Sequence, residues 1–232
     1  KARLALLESP VFTELKSSGH ITPTPFKDCL RDRATLKRML LLFFGVSAGG
    51  SVLFFSSQVY MAVYLKTVIQ VNSVTVGWLS AASTLCLFPL TFLAGALSDR
   101  WGRRPIVLSG LILGLFLIWP IYAALPMVAD QLILVFLLQL LLVMAVALVT
   151  GPQTALLSEL FNARTRYTAV GLPHNLAAGW IGGLSPYMVN LIASQAGIPL
   201  IGLIYPCALL LMATLVCYFN LPETRAADLT LG

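Results

Sequence analysis

Six long apolar runs constrain this chain more than any other feature of its sequence. None of them contains a Lys, Arg, Asp or Glu, and each has the roughly 20 residues that an α-helix needs to cross a bilayer. The predicted spans cover residues of about 39–65, 76–97, 106–125, 131–157, 168–194 and 199–221. We therefore predict an all-α membrane protein with six transmembrane helices.

The composition and the charge pattern agree with this prediction. Hydrophobic residues make up 58% of the chain and charged residues only 10%, whereas soluble domains carry roughly 25% charged residues. Fourteen of the 15 Lys and Arg residues lie before Met39, in the turns after the second and fourth spans, or after the last span. Because basic residues concentrate in cytoplasmic loops, we predict that both termini are cytoplasmic. The net charge of +6 thus reflects topology and predicts no nucleic-acid partner.

Polar segments flank the predicted bundle of residues 39–222. Residues 1–38 hold eight basic residues and are predicted to form a cytoplasmic linker, with an amphipathic helix from Phe26 to Arg38 lying along the membrane surface. Residues 223–232 are predicted to be a cytoplasmic tail. The chain opens on Lys1 and its first residues resemble a continuation of earlier sequence, so we expect it to be the second half of a longer protein.

A charged turn joins the second and third spans with the sequence Gly95-Ala-Leu-Ser-Asp-Arg-Trp-Gly-Arg-Arg-Pro105. Gly102 permits a tight turn, and Pro105 is suited to the start of the next helix. The turn therefore predicts a membrane hairpin whose loop lies on the positive side.

This turn resembles the loop signature of the major facilitator superfamily of transporters, where it lies between the second and third helices of each six-helix half. Further sequence is similar to the bacterial metabolite:proton symporters: Glu8-Ser-Pro-Val-Phe12, the loop at 159–166, His174-Asn175 and Gly182-Gly183-Leu-Ser-Pro186. The resemblance implies the C-terminal half of a 12-helix facilitator in the bacterial inner membrane.

The resemblance also implies a function, which is secondary active transport by alternating access. We expect proton-coupled uptake of a small metabolite, such as a di- or tricarboxylate or a compatible solute. The implied partners are the substrate, a proton, the lipid bilayer and an N-terminal six-helix half of the same protein. No enzymatic activity, metal or cofactor is expected.

Two charged groups are candidates for a cytoplasmic gate. The first comprises Gly95, Asp99, Arg100, Gly102, Arg103, Arg104 and Pro105, and the second comprises Glu159, Arg164 and Arg166. Charge pairs between the groups are predicted to tie helix ends together in the outward-facing state. The alternative is that the arginines only set the topology.

Helical spacing sorts the polar residues of the spans onto faces. The candidates for binding substrate or proton are Ser47, Ser51 and Gln58 in the first span, Gln153 and Thr154 in the fourth, and His174, Asn175 and Ser185 in the fifth. We predict that these faces converge on one cavity. His174 is able to titrate near neutral pH or to bind a carboxylate. The alternative for each residue is a hydrogen bond that holds the bundle together.

Two other functions are compatible with parts of the sequence. A sugar-type facilitator without proton coupling shares the loop signature. An intramembrane serine protease is suggested by Gly45-Val-Ser-Ala-Gly49, which matches Gly-x-Ser-x-Gly, together with His174. That motif requires a strand–turn–helix context, which an apolar helical span does not offer.

Overall fold

The computed structural model describes residues 31–161 and 166–225. The motif at Glu8–Phe12, most of the predicted linker, Arg164, the Arg166 side chain and the end of the predicted tail lie outside the described residues.

Six helices account for nearly all of the described chain, and each is long and apolar enough to cross a membrane. They are α1 (Arg33–Thr67), α2 (Ser73–Trp101), α3 (Arg103–Met127), α4 (Leu132–Leu160), α5 (Thr168–Ala196) and α6 (Pro199–Asn220). No strand occurs in the described ranges. The predicted all-α fold with six spans is therefore confirmed, and the chain is a multi-pass membrane protein.

Short connections make successive helices antiparallel, so the bundle has two chemically different ends. The basic end carries Arg38, the turn at 100–104 and Arg225, and the opposite end carries Lys66. Hydrogen bonds across the basic end join Arg38 to the Leu160 carbonyl and Arg104 to the Tyr218 carbonyl, at 3.0 and 2.7 Å. The charge asymmetry of the sequence thus corresponds to one end of the folded bundle.

The helices differ strongly in how deeply they are buried. In α1, 67% of the most apolar stretch is buried, whereas only 11% is buried in α2. Helix α4 packs against α2 and α3, while α1 packs against α4, α5 and α6. Helix α1 is therefore the central element, and α2 lies at the edge with one face uncovered.

Helix α1 begins earlier than predicted. Asp32 caps it, because its carboxylate accepts hydrogen bonds from the backbone N–H groups of Ala34 and Thr35 at 3.2 and 3.1 Å. Residues 33–38 therefore belong to the membrane-crossing helix, and the prediction of a separate surface helix ending at Arg38 is wrong for these residues.

Three π-helical turns interrupt the regular helices at Leu42–Ser47 and Phe55–Tyr60 in α1 and at Ala177–Gly182 in α5. A π-turn contains more residues than an α-turn, so it rotates the side chains that follow about the helix axis. The faces predicted from a constant helical period are therefore displaced in these two helices.

Glycine allows α2 and α4 to approach closely. A Cβ atom at Gly151 would lie 2.7 Å from the Thr91 carbonyl oxygen and 2.8 Å from the Ala94 Cβ. These distances are shorter than van der Waals contact, and the backbone oxygen has little freedom to move.

We predict that Gly151→Ala lowers the free energy of unfolding by about 1–3 kcal/mol, the usual cost of overpacking. The matched control is Gly77→Ala in α2, where an added Cβ meets nothing within 4 Å. Thermal unfolding of both variants in detergent is the measurement. Equal stability of the two variants would contradict the close approach at Gly151.

Candidate functional site

Polar side chains from α1, α4 and α5 meet at the ring of His174. The Nδ1 atom of His174 lies 3.1 Å from Ser47 Oγ and 3.3 Å from Gln153 Nε2. Ser47 is fully buried and Gln153 nearly so. We call these three residues the His174 cluster, which brings together one predicted candidate from each of three helices.

Two polar groups face the same nitrogen of the His174 ring. The Gln153 amide nitrogen faces the ring, and an amide nitrogen only donates hydrogen bonds. In the tautomer that carries its proton on Nε2, the Nδ1 atom is able to accept from the Gln153 amide and from the Ser47 hydroxyl. A proton added to Nδ1 would turn this atom into a donor that opposes the Gln153 amide nitrogen, so the amide would have to rotate.

The other candidates from α1, α4 and α5 lie outside this cluster. Ser51 faces α5 at Gly182, where an added Cβ would lie 2.6 Å from the Ser51 Cβ. Thr154 and Asn175 are exposed, and the Asn175 amide donates to the Gly171 carbonyl of its own helix at 2.7 Å. Ser185 is buried, and its hydroxyl has no hydrogen-bond partner among the described residues.

Gln58 belongs to a second polar group toward the Lys66 end, which we call the glutamine cluster. Its Oε1 atom accepts hydrogen bonds from Ser83 and Thr84 of α2, at 3.1 and 3.3 Å. Gln139 of α4 donates to the Ser83 hydroxyl at 3.0 Å. The glutamine cluster is therefore shared by α1, α2 and α4.

Three buried atoms around the glutamine cluster have no partner among the described residues: Gln58 Nε2, Gln139 Oε1 and Ser56 Oγ. Leaving a buried polar group unpaired costs about 1–3 kcal/mol. The cluster thus offers an unpaired amide donor and an unpaired amide acceptor, which suit a water molecule or a neutral polar ligand.

The prediction that Ser47 and Gln58 of α1 share one polar face and one cavity is not met, because the two residues belong to different clusters. Ser47 and Gln58 are eleven residues apart, about 16 Å along a helix at 1.5 Å per residue. Gln58 lies within the π-turn at Phe55–Tyr60, and its side chain bonds to α2 and not to the His174 cluster. Ser83, Thr84 and Gln139 were not among the predicted site residues. Gln139 could have been found, because it is a polar amide within a strongly apolar run.

Arg103 links three helix ends at the basic end. Its guanidinium pairs with Glu159 of α4 at 3.2 Å, and it also pairs with Asp99 and donates to the Ser98 hydroxyl of α2 at 2.7 Å. The side chains of Arg103 and Glu159 are each only 11% exposed. Two residues of the first predicted charged group thus meet one residue of the second.

The segment after α6 completes this arrangement. The Glu223 carboxylate accepts hydrogen bonds from the backbone N–H groups of Arg103 and Arg104, at 2.8 and 3.1 Å, and so caps α3. Thr224 donates to Glu159 at 2.5 Å. Partial burial raises the pKa of Glu223, but these backbone donors outweigh it, so the pKa lies below its ordinary value. Neither residue was among the predicted gate residues.

The remaining gate candidates have structural roles. Gly102 has a φ of +103°, and a Cβ there would lie 2.4 Å from Glu223 Oε2, so the turn requires glycine. Gly95 faces Gly151 across α2 and α4. Arg104 donates to the Tyr218 carbonyl, and the Arg100 carbonyl accepts from Arg225. Pro105 lies in the first turn of α3.

The Gly-x-Ser-x-Gly sequence around Ser47 lies inside α1. Ser47 does contact a histidine, but Nδ1 of that ring is shared with Gln153. No strand precedes the motif in the described chain. The geometry of a nucleophile elbow is therefore missing.

Comparisons with known proteins point to transporters. The model of the family described as "Sugar (and other) transporter" matches residues 11–231. The chain is similar to the inner membrane metabolite transport protein YhjE of Escherichia coli K12, with 26% identity over 234 residues, or 98% of this chain and 51% of that protein.

Two further relatives match shorter stretches. The alpha-ketoglutarate permease of Escherichia coli K12 is 29% identical over 153 residues, which is 66% of this chain and 35% of the permease. The citrate-proton symporter of Klebsiella pneumoniae is 29% identical over 149 residues, or 62% of this chain and 32% of the symporter. The chain spans about half the length of YhjE. No solved structure matches the chain.

We predict that Arg103 and Glu159 are energetically coupled. In a double-mutant cycle with Arg103→Gln and Glu159→Gln, the interaction energy in thermal unfolding should be about 0.5–3 kcal/mol. Asp99→Asn replaces Glu159→Gln in the control cycle, and because Asp99 is 64% exposed its coupling should stay below about 1 kcal/mol. Equal coupling in both cycles would contradict a special role for the Arg103–Glu159 pair.

Proposed function

Because the chain belongs to the sugar and other transporter family of the major facilitator superfamily, we propose that it forms one six-helix half of a secondary active transporter that works by alternating access. The observation that carries this proposal is the His174 cluster, where α1, α4 and α5 converge inside an apolar bundle. Transporters of this type bind substrate near the bilayer midplane, between their repeats. The family and the relatives are transporters and not enzymes.

The proposed substrate class is a small di- or tricarboxylate or a compatible solute. The His174 cluster combines a hydroxyl, an amide and an imidazole, all of which are able to donate to carboxylate oxygens once the ring rearranges. No Asp or Glu lies in the predicted spans to repel an anion. Relatives named as an alpha-ketoglutarate permease and a citrate-proton symporter support the same class.

Proton coupling is proposed to involve His174. Its described hydrogen-bond partners are Ser47 of α1 and Gln153 of α4, and neither of them titrates. Protonation of Nδ1 would place a positive charge in the cluster and force the Gln153 amide to turn. The site would thereby gain affinity for an anion at the moment it takes up a proton. The alternative proton carrier is a carboxylate in the proposed other half.

The basic end is proposed to face the cytoplasm, since 14 of the 15 Lys and Arg residues belong to that side of the chain. There the Arg103–Glu159 pair and the Glu223 cap would hold the ends of α2, α3 and α4 together in the outward-facing state. Opening toward the cytoplasm would separate them. Arg103, Glu159 and Glu223 would then close the cytoplasmic side rather than bind the substrate.

The proposed partner is a second six-helix half of the same protein, which would cover the exposed faces of α2 and α5. Phe88 and Phe92 of α2 are 79% and 78% exposed, and Trp180 of α5 is 70% exposed. They border grooves that also contain polar groups, including Thr91 on α2 and Asn175 on α5. Such mixed surfaces suit the wall of a transport path better than contact with lipid.

A second candidate function is uncoupled transport of a neutral, hydroxyl-rich solute. The glutamine cluster favours it, because its unpaired amide donor and acceptor carry no charge. This alternative predicts uptake that equilibrates and ignores the proton gradient.

We expect the full-length protein in proteoliposomes to accumulate one of four labelled solutes: citrate, 2-oxoglutarate, shikimate or proline betaine. Accumulation should require an inward proton gradient and collapse when an uncoupler is added. Equilibration that is indifferent to the gradient would favour the uncoupled alternative. Absence of uptake for all four would contradict the proposed substrate class.

We further predict that His174→Gln lowers the kcat/KM of uptake by about 10- to 100-fold. The substitution removes the imidazole that, once protonated, would donate a charged hydrogen bond to the substrate carboxylate. The pH dependence of uptake should flatten in the same variant. The matched control is Ser109→Ala, since among the described residues the Ser109 hydroxyl bonds to the Ile106 carbonyl of its own helix. An unchanged rate and pH profile for His174→Gln would contradict its proposed role.

A further inference from the structure

A lateral groove opens between α1 and α6 at the basic end. Its cavity volume is about 400 Å³, and its lining includes Lys37, Arg38, Leu40, Phe44 and Val216. We call it the α1/α6 groove. Its lining includes no residue of the His174 cluster, the gate or the proposed transport path.

The mouth of this groove is positively charged. Lys37 and Arg38 are both exposed, and Arg38 is held in place because its guanidinium donates to the Leu160 carbonyl at 3.0 Å. No acidic residue lines the groove. Asp32, whose carboxylate caps α1, interacts electrostatically with Arg38 but does not line the groove. The mouth is therefore ready to bind an anion.

The wall of the groove is apolar and exposed. Leu40 is 49% exposed and Phe44 is 39% exposed, and both lie further from the helix end than Lys37. The apolar surface continues on the other flank of α1, where Leu40 and Phe44 also line a groove beside Pro173 of α5. Along the membrane normal, the charged mouth is thus followed by an apolar wall.

This order of chemistry matches one class of ligand. A phospholipid places its phosphate at the membrane surface and its acyl chains below, and basic residues next to a span attract anionic headgroups. A free phosphate would use only the mouth and leave Leu40 and Phe44 exposed.

We propose that the α1/α6 groove binds an anionic phospholipid, with the phosphate between Lys37 and Arg38 and an acyl chain along Leu40, Phe44 and Val216. Because Arg38 of α1 also bonds to the Leu160 carbonyl of α4, the lipid would lie next to the ends of both helices. The lipid site requires only that the bundle lies in a bilayer, so it does not depend on the proposed transport function.

Native mass spectrometry of the full-length protein tests the site with mixed phosphatidylglycerol and phosphatidylcholine. We expect phosphatidylglycerol to be retained preferentially, and its retention to fall about five-fold for each charge removed in Lys37→Gln and Lys37→Gln/Arg38→Gln. The control is Lys66→Gln, which removes a basic residue at the opposite end and should change nothing. Equal retention of the two lipids, or equal effects at Lys37 and Lys66, would overturn the proposal.

Two further measurements separate the lipid from other occupants. Glycerol phosphate in excess should fail to displace the lipid, because it lacks the acyl chains; displacement would mean that the mouth binds a phosphate alone. A photo-crosslinking amino acid at Leu40 should form adducts with lipid in vesicles. Adducts with residues 1–30 of the chain, or with another protein segment, would overturn the proposal.

Discussion

The interior of a bilayer offers no water to polar groups, and the arrangement of this bundle follows from that constraint. Backbone groups are satisfied within the helices, but polar side chains need partners of their own, either in the same helix or in another one. Several of those in the described chain find partners on other helices around His174 and around Gln139. Around His174, α4 is joined to α1 and α5, and around Gln139 it is joined to α1 and α2. The polar residues therefore hold together the same helices that would form a binding cavity.

Helix α4 connects all of these places. It carries Gln139 in the glutamine cluster, Gln153 in the His174 cluster and Glu159 in the charged network at the basic end. Its Gly151 also permits the close approach of α2. A rearrangement of Gln153 on protonation of His174 would consequently occur one and a half to two turns from Glu159 on the same helix, at 3.6 residues per turn. This proximity gives a short physical route between the proposed site and the residues that would close the cytoplasmic side.

The number, type and order of the helices could be predicted from the sequence because uncharged runs of this length have few alternatives. The meeting of Ser47, Gln153 and His174 could also be anticipated, since α1, α4 and α5 each carried polar residues on one face. The position of Gln58 could not, because a π-turn leaves no clear mark in composition and rotates the face that follows it. A constant helical period therefore identified Gln58 as a buried polar candidate but assigned it to the wrong neighbouring helix.

The ends of the helices were harder to predict than their cores. Helix α1 extends back to Arg33 because Asp32 caps it, and a single cap is a weak signal within a polar segment. Helix α3 is capped by Glu223, which lies about 120 residues further along the chain. Local sequence contains no information about such a distant cap. The charge pair of Arg103 with Glu159 was predicted as a contact between two turns, whereas the Arg104 guanidinium donates to the Tyr218 carbonyl instead.

The most direct test of this account is a substrate-bound structure of the full-length protein, determined with a solute that it transports. We expect the bound solute to contact His174, Gln153 and Ser47, with the Gln153 amide turned away from its present position 3.3 Å from His174 Nδ1. A solute bound away from these three residues, with the His174 cluster unchanged, would contradict it.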